Sequence, residues 1–223
     1  MMEICAYPDR DMLMLGLADR IAGQLADFLR RLGRATLSVP GGNTPGPAFD
    51  VLSGVDLDWE HVAVVPNDER WVPQDSPESN ARLIRQRLLV NRAAAARLIP
   101  LYTDTPTPDD GLDTLTEGLR DHLPISVLLL GMGADMHTAS LFAGGDRLAE
   151  ALAPDAPPLL PMRAPGQVAR ITLTAPVLRA AMRTHILITG PEKRAALEQA
   201  MALPPEQAPV RAVLQNATVH WAE

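Results

Sequence analysis

The sequence predicts an α/β fold, with a mainly parallel, Rossmann-like sheet and helices on both faces. Short apolar runs, the clearest of which is VLLL at residues 127–130, are typical of strands buried on both faces, as parallel strands are. These runs alternate with segments of helical periodicity, which is the βαβα order of parallel sheets. The chain has 223 residues and shows no internal repeat, so we expect one domain spanning residues 1–223.

The individual elements follow from the same two patterns. Residues 11–32 predict an amphipathic helix, because their apolar side chains recur at helical spacing while charged side chains occupy the other side. Further strands are predicted at 35–39, 61–65, 170–173 and 185–189, and further helices at 47–52, 79–89, 176–181 and 192–201. Two Pro-rich stretches, 101–110 and 153–165, are predicted to be loops or connections.

Composition excludes several classes of partner. The chain carries 27 acidic and 20 basic residues, a net charge of −7, so nothing draws it as a whole to nucleic acid or to an anionic membrane. The single cysteine, Cys5, cannot form an internal disulfide and suits a reducing compartment. The amino terminus lacks the pattern of a signal peptide, and no apolar run approaches the length of a membrane span. We therefore expect a cytoplasmic protein.

The segment VLLLGMGADMHTASLFAGG carries one histidine on a glycine-rich turn behind a buried strand. Ligands of parallel sheets bind beyond the carboxyl ends of the strands. Gly131 and Gly133 let the backbone turn sharply. Free backbone N–H groups at the start of the helix that follows can bind an anion. Asp135 is predicted to cap a helix over 138–142, with His137 in its first turn. His137 is therefore the candidate for proton transfer.

A second charged segment, PNDERWVP, follows the strand predicted at 61–65. Asp68 or Glu69 could orient a histidine or share a proton with it. Arg70 could bind phosphate or carboxylate through its planar guanidinium group. From residue types alone, a solvated surface loop with internal ion pairs is an equally good interpretation.

A third turn, Gly41, Gly42, Asn43 and Thr44, lies between a predicted strand and a predicted helix. Exposed amides in this context can bind a phosphate or an oxyanion, although a tight loop without a ligand is the simpler interpretation of a glycine pair. The string GMGADM lacks the third glycine of a dinucleotide-binding fingerprint, and no His/Cys cluster has zinc-site spacing. We expect neither a cofactor nor a metal.

Two segments taken together carry a family resemblance. DERWVPQDSPESNARLIRQRLL and LGMGADMHTASLF resemble the hallmark motifs of the 6-phosphogluconolactonases, which are related in fold to the glucosamine-6-phosphate deaminases. VPGGNTP, RITLTAPVL and ITGPEKRAAL match further segments of that family in the same order, from residue 39 to 197. The resemblance implies a hydrolase of the pentose phosphate pathway that opens 6-phospho-D-glucono-1,5-lactone to 6-phospho-D-gluconate.

The resemblance also implies roles for individual residues. His137 would take a proton from the attacking water, and Asp68 would orient the imidazole or the substrate. Arg170 and Lys193, which by composition would be ordinary surface cations, become phosphate-binding candidates beside Arg70. We predict His137 and Asp68 as catalytic, and as substrate- or phosphate-binding Gly41, Gly42, Asn43, Thr44, Glu69, Arg70, Gly131, Gly133, Arg170 and Lys193. The expected partner is a phosphorylated sugar lactone; the oligomeric state, a monomer included, stays open.

The chain departs from the family at Met136, where the family usually has glycine, and at Ala143, where it usually has proline. Capping by Asp135 favours ordinary helical dihedral angles at Met136, where methionine is tolerated. The alternative is a positive φ that only glycine adopts without strain.

The sequence leaves three alternative functions. A glucosamine-6-phosphate deaminase would usually have Ile-Ala-Phe-Asn-Glu after the histidine, whereas this chain has Thr-Ala-Ser-Leu-Phe. A sugar-phosphate-binding protein without turnover is suggested by Met136. A serine hydrolase using Ser140 is disfavoured because the surrounding sequence is not a nucleophile elbow. The other histidines, His61, His122, His185 and His220, are predicted to be structural or solvated, without a local partner.

Overall fold

The computed structural model describes residues 2–223 and contains two β-sheets. The larger sheet is parallel throughout, and its strands, numbered along the chain, lie in the order β1 (Glu3–Ala6), β10 (Ala217–Ala222), β9 (Arg183–Thr189), β6 (Val127–Gly131), β2 (Ala35–Val39), β3 (Val62–Pro66) and β5 (Arg97–Leu98). The smaller, antiparallel sheet contains β4 (Asp68–Arg70), β8 (Arg170–Leu173) and β7 (Leu159–Met162).

Helices connect these strands. They are α1 (Arg10–Leu32), α2 (Gly46–Ser53), α3 (Asn80–Arg87), α4 (Pro108–Arg120), α5 (Leu148–Leu152), α6 (Ala175–Arg179) and α7 (Pro191–Ala200). Short 3-10 helices lie at Trp59–His61, Asn91–Ala95, Pro209–Ala212 and Leu214–Asn216. None of the helices within residues 2–223 combines the length and the apolar character needed to cross a bilayer.

The core lies on both faces of the larger sheet, and β6 shows this division residue by residue. Val127 and Leu129 pack with apolar residues of α1, α2 and α3, whereas Leu128 and Leu130 pack with those of α4 to α7. All four side chains are fully buried. Because successive side chains of a strand point to opposite faces, an unbroken apolar run is what a two-sided core requires. The predicted α/β fold is confirmed.

Several boundaries differ from the prediction. Helix α4 begins inside the predicted 101–110 loop, because Thr107 and Asp110 form a capping box and Pro108 occupies the first turn. Strand β7 lies inside the predicted 153–165 loop, and its proline is accommodated because β7 is an edge strand. The predicted charged loop contains strand β4. The terminal strands β1 and β10 were not predicted.

Candidate active site

A cleft with a volume of about 240 Å³ opens at the carboxyl ends of β2, β6 and β9, where the smaller sheet approaches the larger one. This is where ligands bind in open parallel sheets. Its walls include ten of the twelve predicted site residues, namely Gly41, Gly42, Thr44, Asp68, Arg70, Gly131, Gly133, His137, Arg170 and Lys193. The remaining two, Asn43 and Glu69, do not line it.

The predicted helix over 138–142 is wrong, because His137 lies in a chain of tight turns. Met136 has φ 64° and Ala139 has φ 49°, both in the left-handed region that L-residues with side chains rarely adopt. The expectation of helical dihedral angles at Met136 is therefore also wrong. The turn is held from outside the segment, since the Val210 N–H donates to the Met136 carbonyl at 3.0 Å.

Asp135 does not cap a helix; it holds His137. The Asp135 carboxylate lies 2.5 Å from His137 Nδ1 and accepts the His137 backbone N–H at 3.3 Å. Partial burial acts against the charge of Asp135, but the hydrogen bond and charge of His137 outweigh it, so the pKa of Asp135 lies below its ordinary value. Nδ1 is thereby engaged, and Nε2 is the ring nitrogen left for a ligand. The His137 side chain is 31% exposed, at the wall of the cleft.

Gly133 makes room for this pair. A β-carbon at position 133 would lie 2.1 Å from His137 Nδ1 and 2.2 Å from the Asp135 carboxylate. The Gly133 N–H donates to the His137 carbonyl at 2.9 Å, so it is engaged within the turn and is not available to an anion. Gly133 therefore serves the geometry of His137 through the side chain that it lacks.

The buried Asp68 carboxylate contacts residues other than His137. It accepts from the Ser140 hydroxyl, from Asn80 Nδ2 at 3.1 Å and from Arg170 Nη1 at 3.5 Å. The carboxylate hydrogen-bonded to the imidazole is that of Asp135, so the geometry does not support the expectation that Asp68 orients His137. The Ser140 hydroxyl, buried and bonded to Asp68, is equally unsuited to be a nucleophile served by His137.

Glu69 is buried away from the cleft, so the structure gives no support to its predicted role as a substrate ligand. It accepts the backbone N–H groups of Arg70, Asn80 and Ala81 and the hydroxyl of Ser79, at 2.7 to 3.0 Å. Burial raises its pKa, although these hydrogen bonds oppose the shift. Glu69 thus fixes the first turn of α3 to β4.

Three cations reach the cleft. Arg70 donates from Nη1 to the Glu78 carbonyl at 3.1 Å and to Asn80 Oδ1 at 2.6 Å. Arg170, whose side chain is 15% exposed, lies over the Phe142 ring, and its Nε has no acceptor within residues 2–223.

Lys193, the third cation, donates to the Met132 carbonyl at 2.7 Å. Burial lowers the pKa of Lys193, and Asp135 opposes this shift. The three side chains give the cleft a positive charge suited to an anionic ligand.

The turn after β2 forms the facing wall. In the described part of the chain, the N–H groups of Gly41 and Gly42 donate to no protein acceptor. Gly42 has φ 82°, which a glycine adopts without strain. Asn43 is exposed outside the cleft, so the structure gives no support to its predicted role as a ligand.

Sequence reasoning missed Asn80, which lines the cleft between Asp68 and Arg70. The signal was present in the string SPESNARL, directly after the charged segment, but only the fold shows that α3 returns to β4. The apolar lining residues Leu187, Ile188 and Ala139 were also missed. Nothing in an apolar run identifies which of its residues will line a cleft.

Away from the cleft, His185 and His220 are buried and hydrogen-bonded to residues far apart in the chain, in agreement with the prediction that they are structural and have no local partner. His185 Nε2 lies 2.8 Å from Gln24 Oε1, His185 Nδ1 lies 3.0 Å from His220 Nε2, and His220 Nδ1 lies 2.8 Å from the Tyr7 hydroxyl. Burial lowers the pKa of His185 to about 4 and that of His220 to about 3, with a further contribution from Arg20. His61 forms an exposed hydrogen bond with Asp58.

Comparison with known proteins places this geometry in a family. Residues 8–221 match the family model described as glucosamine-6-phosphate isomerases/6-phosphogluconolactonase. A 6-phosphogluconolactonase of Mesorhizobium japonicum is 41% identical over 97% of this chain and 94% of its own length, and one of Pseudomonas aeruginosa is 42% identical over 92% and 89%. The crystal structure of a 6-phosphogluconolactonase from Shewanella baltica matches with a TM-score of 0.96 at 32% identity, covering 100% of this chain and 98% of the other. The chain therefore belongs to the 6-phosphogluconolactonases, within the family that they share with the glucosamine-6-phosphate isomerases.

Proposed function

We propose that this protein hydrolyses 6-phospho-D-glucono-1,5-lactone to 6-phospho-D-gluconate, with His137 as the general base. The observation that carries the proposal is the imidazole of His137, tied through Nδ1 to Asp135 and facing a cleft that three cations enter. This arrangement combines a proton acceptor with a binding site for a phosphorylated ligand. The similarity to 6-phosphogluconolactonases along nearly the whole chain supports the same reaction.

The proposed chemistry needs no covalent enzyme intermediate. His137 Nε2 accepts a proton from water as the water oxygen bonds to the lactone carbonyl carbon. The negative charge that develops on the carbonyl oxygen is stabilised by backbone N–H groups, for which Gly41 and Gly42 are the candidates; one such donor contributes about 3 kcal/mol in comparable sites. The bond from that carbon to the ring oxygen then breaks, and the imidazolium returns its proton to the leaving oxygen.

Asp135 is proposed to position the base. Its carboxylate holds the proton on Nδ1 of the neutral imidazole, so that Nε2 presents its lone pair to water. It also stabilises the imidazolium that forms during the reaction. Asp68, which contacts Arg170, Asn80 and Ser140, is better placed to orient the substrate than the base.

The phosphate is proposed to bind Arg70, Arg170 and Lys193 away from the reacting carbonyl. Binding energy from this remote group would hold the ester in place for attack. Replacing a true phosphate ligand by alanine should raise KM for the phosphorylated lactone at least tenfold and hardly change the weak activity on unphosphorylated gluconolactone. Arg120→Ala, on the exposed face of α4, is the matched control. Equal losses on both substrates would assign the residue to the chemistry or to the fold.

A binding protein without turnover was suggested by Met136 in place of glycine. Met136 nevertheless adopts φ 64°, a backbone conformation that glycine would favour, so the substitution leaves the turn able to carry His137. This observation supports the enzyme over the binding protein. The deaminase alternative has less support, because the curated relatives described above are 6-phosphogluconolactonases.

The decisive experiment follows lactone decay. Glucose-6-phosphate dehydrogenase generates the lactone in situ, and its disappearance is measured with and without this protein in the same buffer. We expect decay to accelerate in proportion to protein concentration. Decay at the rate of buffer alone, combined with binding of 6-phosphogluconate, would favour the binding protein. Release of ammonia from glucosamine 6-phosphate would identify a deaminase.

A further inference from the structure

The side chain of Asn80 connects two charged residues of the cleft. Its Oδ1 accepts from Arg70 Nη1 at 2.6 Å, and its Nδ2 donates to the carboxylate of Asp68 at 3.1 Å and to the Asp68 carbonyl at 2.8 Å. Asn80 is 2% exposed, and both ends of its amide are engaged. One neutral group therefore fixes both a cation and a carboxylate.

These contacts are not needed to begin helix α3. The Ser79 hydroxyl caps the helix by accepting the Arg82 N–H, and the Glu69 carboxylate accepts the N–H groups of Asn80 and Ala81. The free N–H groups of the first turn are thus satisfied by other side chains. The backbone of Asn80 serves the helix, while its side chain serves the cleft.

Asn80 also determines which edge of Arg70 is left for a ligand. Both hydrogens of Arg70 Nη1 are engaged, one by the Glu78 carbonyl and one by Asn80 Oδ1. In the part of the chain that the structure describes, the Nε and Nη2 edge has no partner, and it can donate two parallel hydrogen bonds to a phosphate or a carboxylate. Loss of the Asn80 amide would leave the guanidinium group free to turn.

The opposite wall is shaped to receive this amide. A β-carbon at Gly41 would lie 1.8 Å from Asn80 Oδ1 and 2.3 Å from its Cγ. Gly41 does not have the positive φ of its neighbour Gly42. Gly42 is therefore explained by its backbone conformation, and Gly41 by the space that Asn80 occupies.

We infer that Asn80 is a positioning residue, which fixes Arg70 and Asp68 in the cleft, and that Gly41 lacks a side chain to make room for it. The inference rests on the proposed function for its kinetic consequences. It assigns Asn80 no contact with the reacting atoms.

A double-mutant cycle tests the link between the two walls. Gly41→Ala and Asn80→Ala should each lower kcat/KM at least tenfold. In the Asn80→Ala background, Gly41→Ala should cost less than threefold, because no amide remains to be displaced. Gly118→Ala is the matched control, since a β-carbon there meets nothing within 4 Å, and its activity should be that of the wild type. Equal costs of Gly41→Ala in both backgrounds would overturn the inference.

A second variant separates positioning from folding. Asn80→Asp keeps an acceptor for Arg70, removes the donor to Asp68 and suits the first turn of a helix. We expect KM within threefold of wild type and kcat at least tenfold lower, whereas Asn80→Ala should change both. If Asn80→Ala lowers only the unfolding midpoint and leaves kcat and KM unchanged, Asn80 is merely structural and the inference fails.

Binding of 6-phosphogluconate by calorimetry provides a readout that is independent of turnover. The same non-additivity between Gly41→Ala and Asn80→Ala should appear in Kd. A wild-type protein without lactonase activity would refute the proposed function alone, while additive changes in Kd would refute the positioning role alone.

Discussion

The loop around His137 and the buried pair His185–His220 place the same side chain in opposite surroundings. His137 lies at the wall of a charged cleft, 31% exposed, with a carboxylate on one nitrogen. His185 of β9 and His220 of β10 are buried beside α1, and their hydrogen-bond partners within residues 2–223 are neutral. The residue type alone therefore does not make a histidine available for proton transfer. The side chain must also be accessible to a ligand and have a charged partner.

The hydrogen bonds of His185 and His220 also determine which ring nitrogen carries the proton. The Gln24 carbonyl oxygen can only accept, so His185 Nε2 carries its proton and His185 Nδ1 accepts from His220 Nε2. His220 Nδ1 then accepts from the Tyr7 hydroxyl. A proton added to His185 Nδ1 would place two donors against each other and break its hydrogen bond with His220 Nε2, whereas the Tyr7 hydroxyl could still accept from a protonated His220 Nδ1. The hydrogen bond between the two rings therefore requires a neutral His185.

The largest expected effect is on catalysis. His137→Ala should lower kcat at least ~10²-fold, because general-base catalysis is lost, and should leave the free energy of unfolding within about 0.5 kcal/mol of wild type. Lactone decay and urea unfolding measure the two quantities. Wild-type turnover in this variant would show that another residue of the cleft is the general base.

For the buried pair His185–His220 we expect a loss of stability without a loss of turnover. His220→Ala should reduce the free energy of unfolding by about 2–4 kcal/mol, because it leaves a cavity and unpaired groups on Tyr7 and His185. Turnover per folded molecule should stay near that of wild type. The exposed His61→Ala is the control, and its unfolding midpoint should stay at that of wild type. Loss of turnover in folded His220→Ala would show that the two regions are coupled.

The pair also predicts how stability depends on pH. Its folded pKa values, about 4 and about 3, lie below the ordinary histidine value of 6.5, so the unfolded chain binds protons first as pH falls. The stabilisation is complete above pH ~6.5 and is lost below it, by about 1.4 kcal/mol per pH unit for each histidine. The positive charge of Arg20 lowers both pKa values further, and that of Arg183 lowers the pKa of His185.

Denaturant unfolding of wild type and His185→Gln between pH 7 and pH 5 measures this dependence. Glutamine keeps a donor and an acceptor at position 185 but does not titrate. We expect the difference in slope to be roughly that of one histidine. Identical slopes would mean that folding does not lower the pKa of His185, because the folded and unfolded states would then bind protons at position 185 equally.

The smallest effect is expected at Met136, beside the catalytic histidine. Met136→Gly and Met136→Ala both remove the methionine side chain, but only glycine adopts φ 64° without backbone strain. The glycine variant should be more stable than the alanine variant by about 1 kcal/mol, the reverse of the order at an ordinary position. It should also have the higher kcat/KM. A more stable alanine variant would show that this turn relaxes without strain.

The fold was predictable where one pattern dominates a segment. β2 and β8 were predicted at their observed bounds, and α1 within one residue of its start. β7 and the whole of α4 were not predicted. Prolines indicate a loop over β7 and over the start of α4, whereas an edge position and capping by Thr107 accommodate them. β1 and β10 are stable as strands only beside their neighbours in the sheet.

The residues that line the candidate site could largely be predicted from the sequence, but the partners that their side chains contact could not. The motifs located His137 and the three cations that line the cleft. The sequence points to Asp68 as the carboxylate that orients the imidazole, although Asp135 lies two residues from His137, because the glycine-rich segment predicts a helix and not a turn. It points to Glu69 as a ligand because burial cannot be judged from a charged string.

The sequence by itself determined the α/β class, the family and the positions of the turns, because apolar periodicity and glycine placement are local properties of a chain. Only the tertiary structure decided which side chains each carboxylate contacts. It also decided that Asn80 lies against Gly41 and that His185 forms a hydrogen bond with His220. The physical reason is that hydrogen bonds and steric contacts act over a few ångströms, between residues that the sheet brings together from distant parts of the chain.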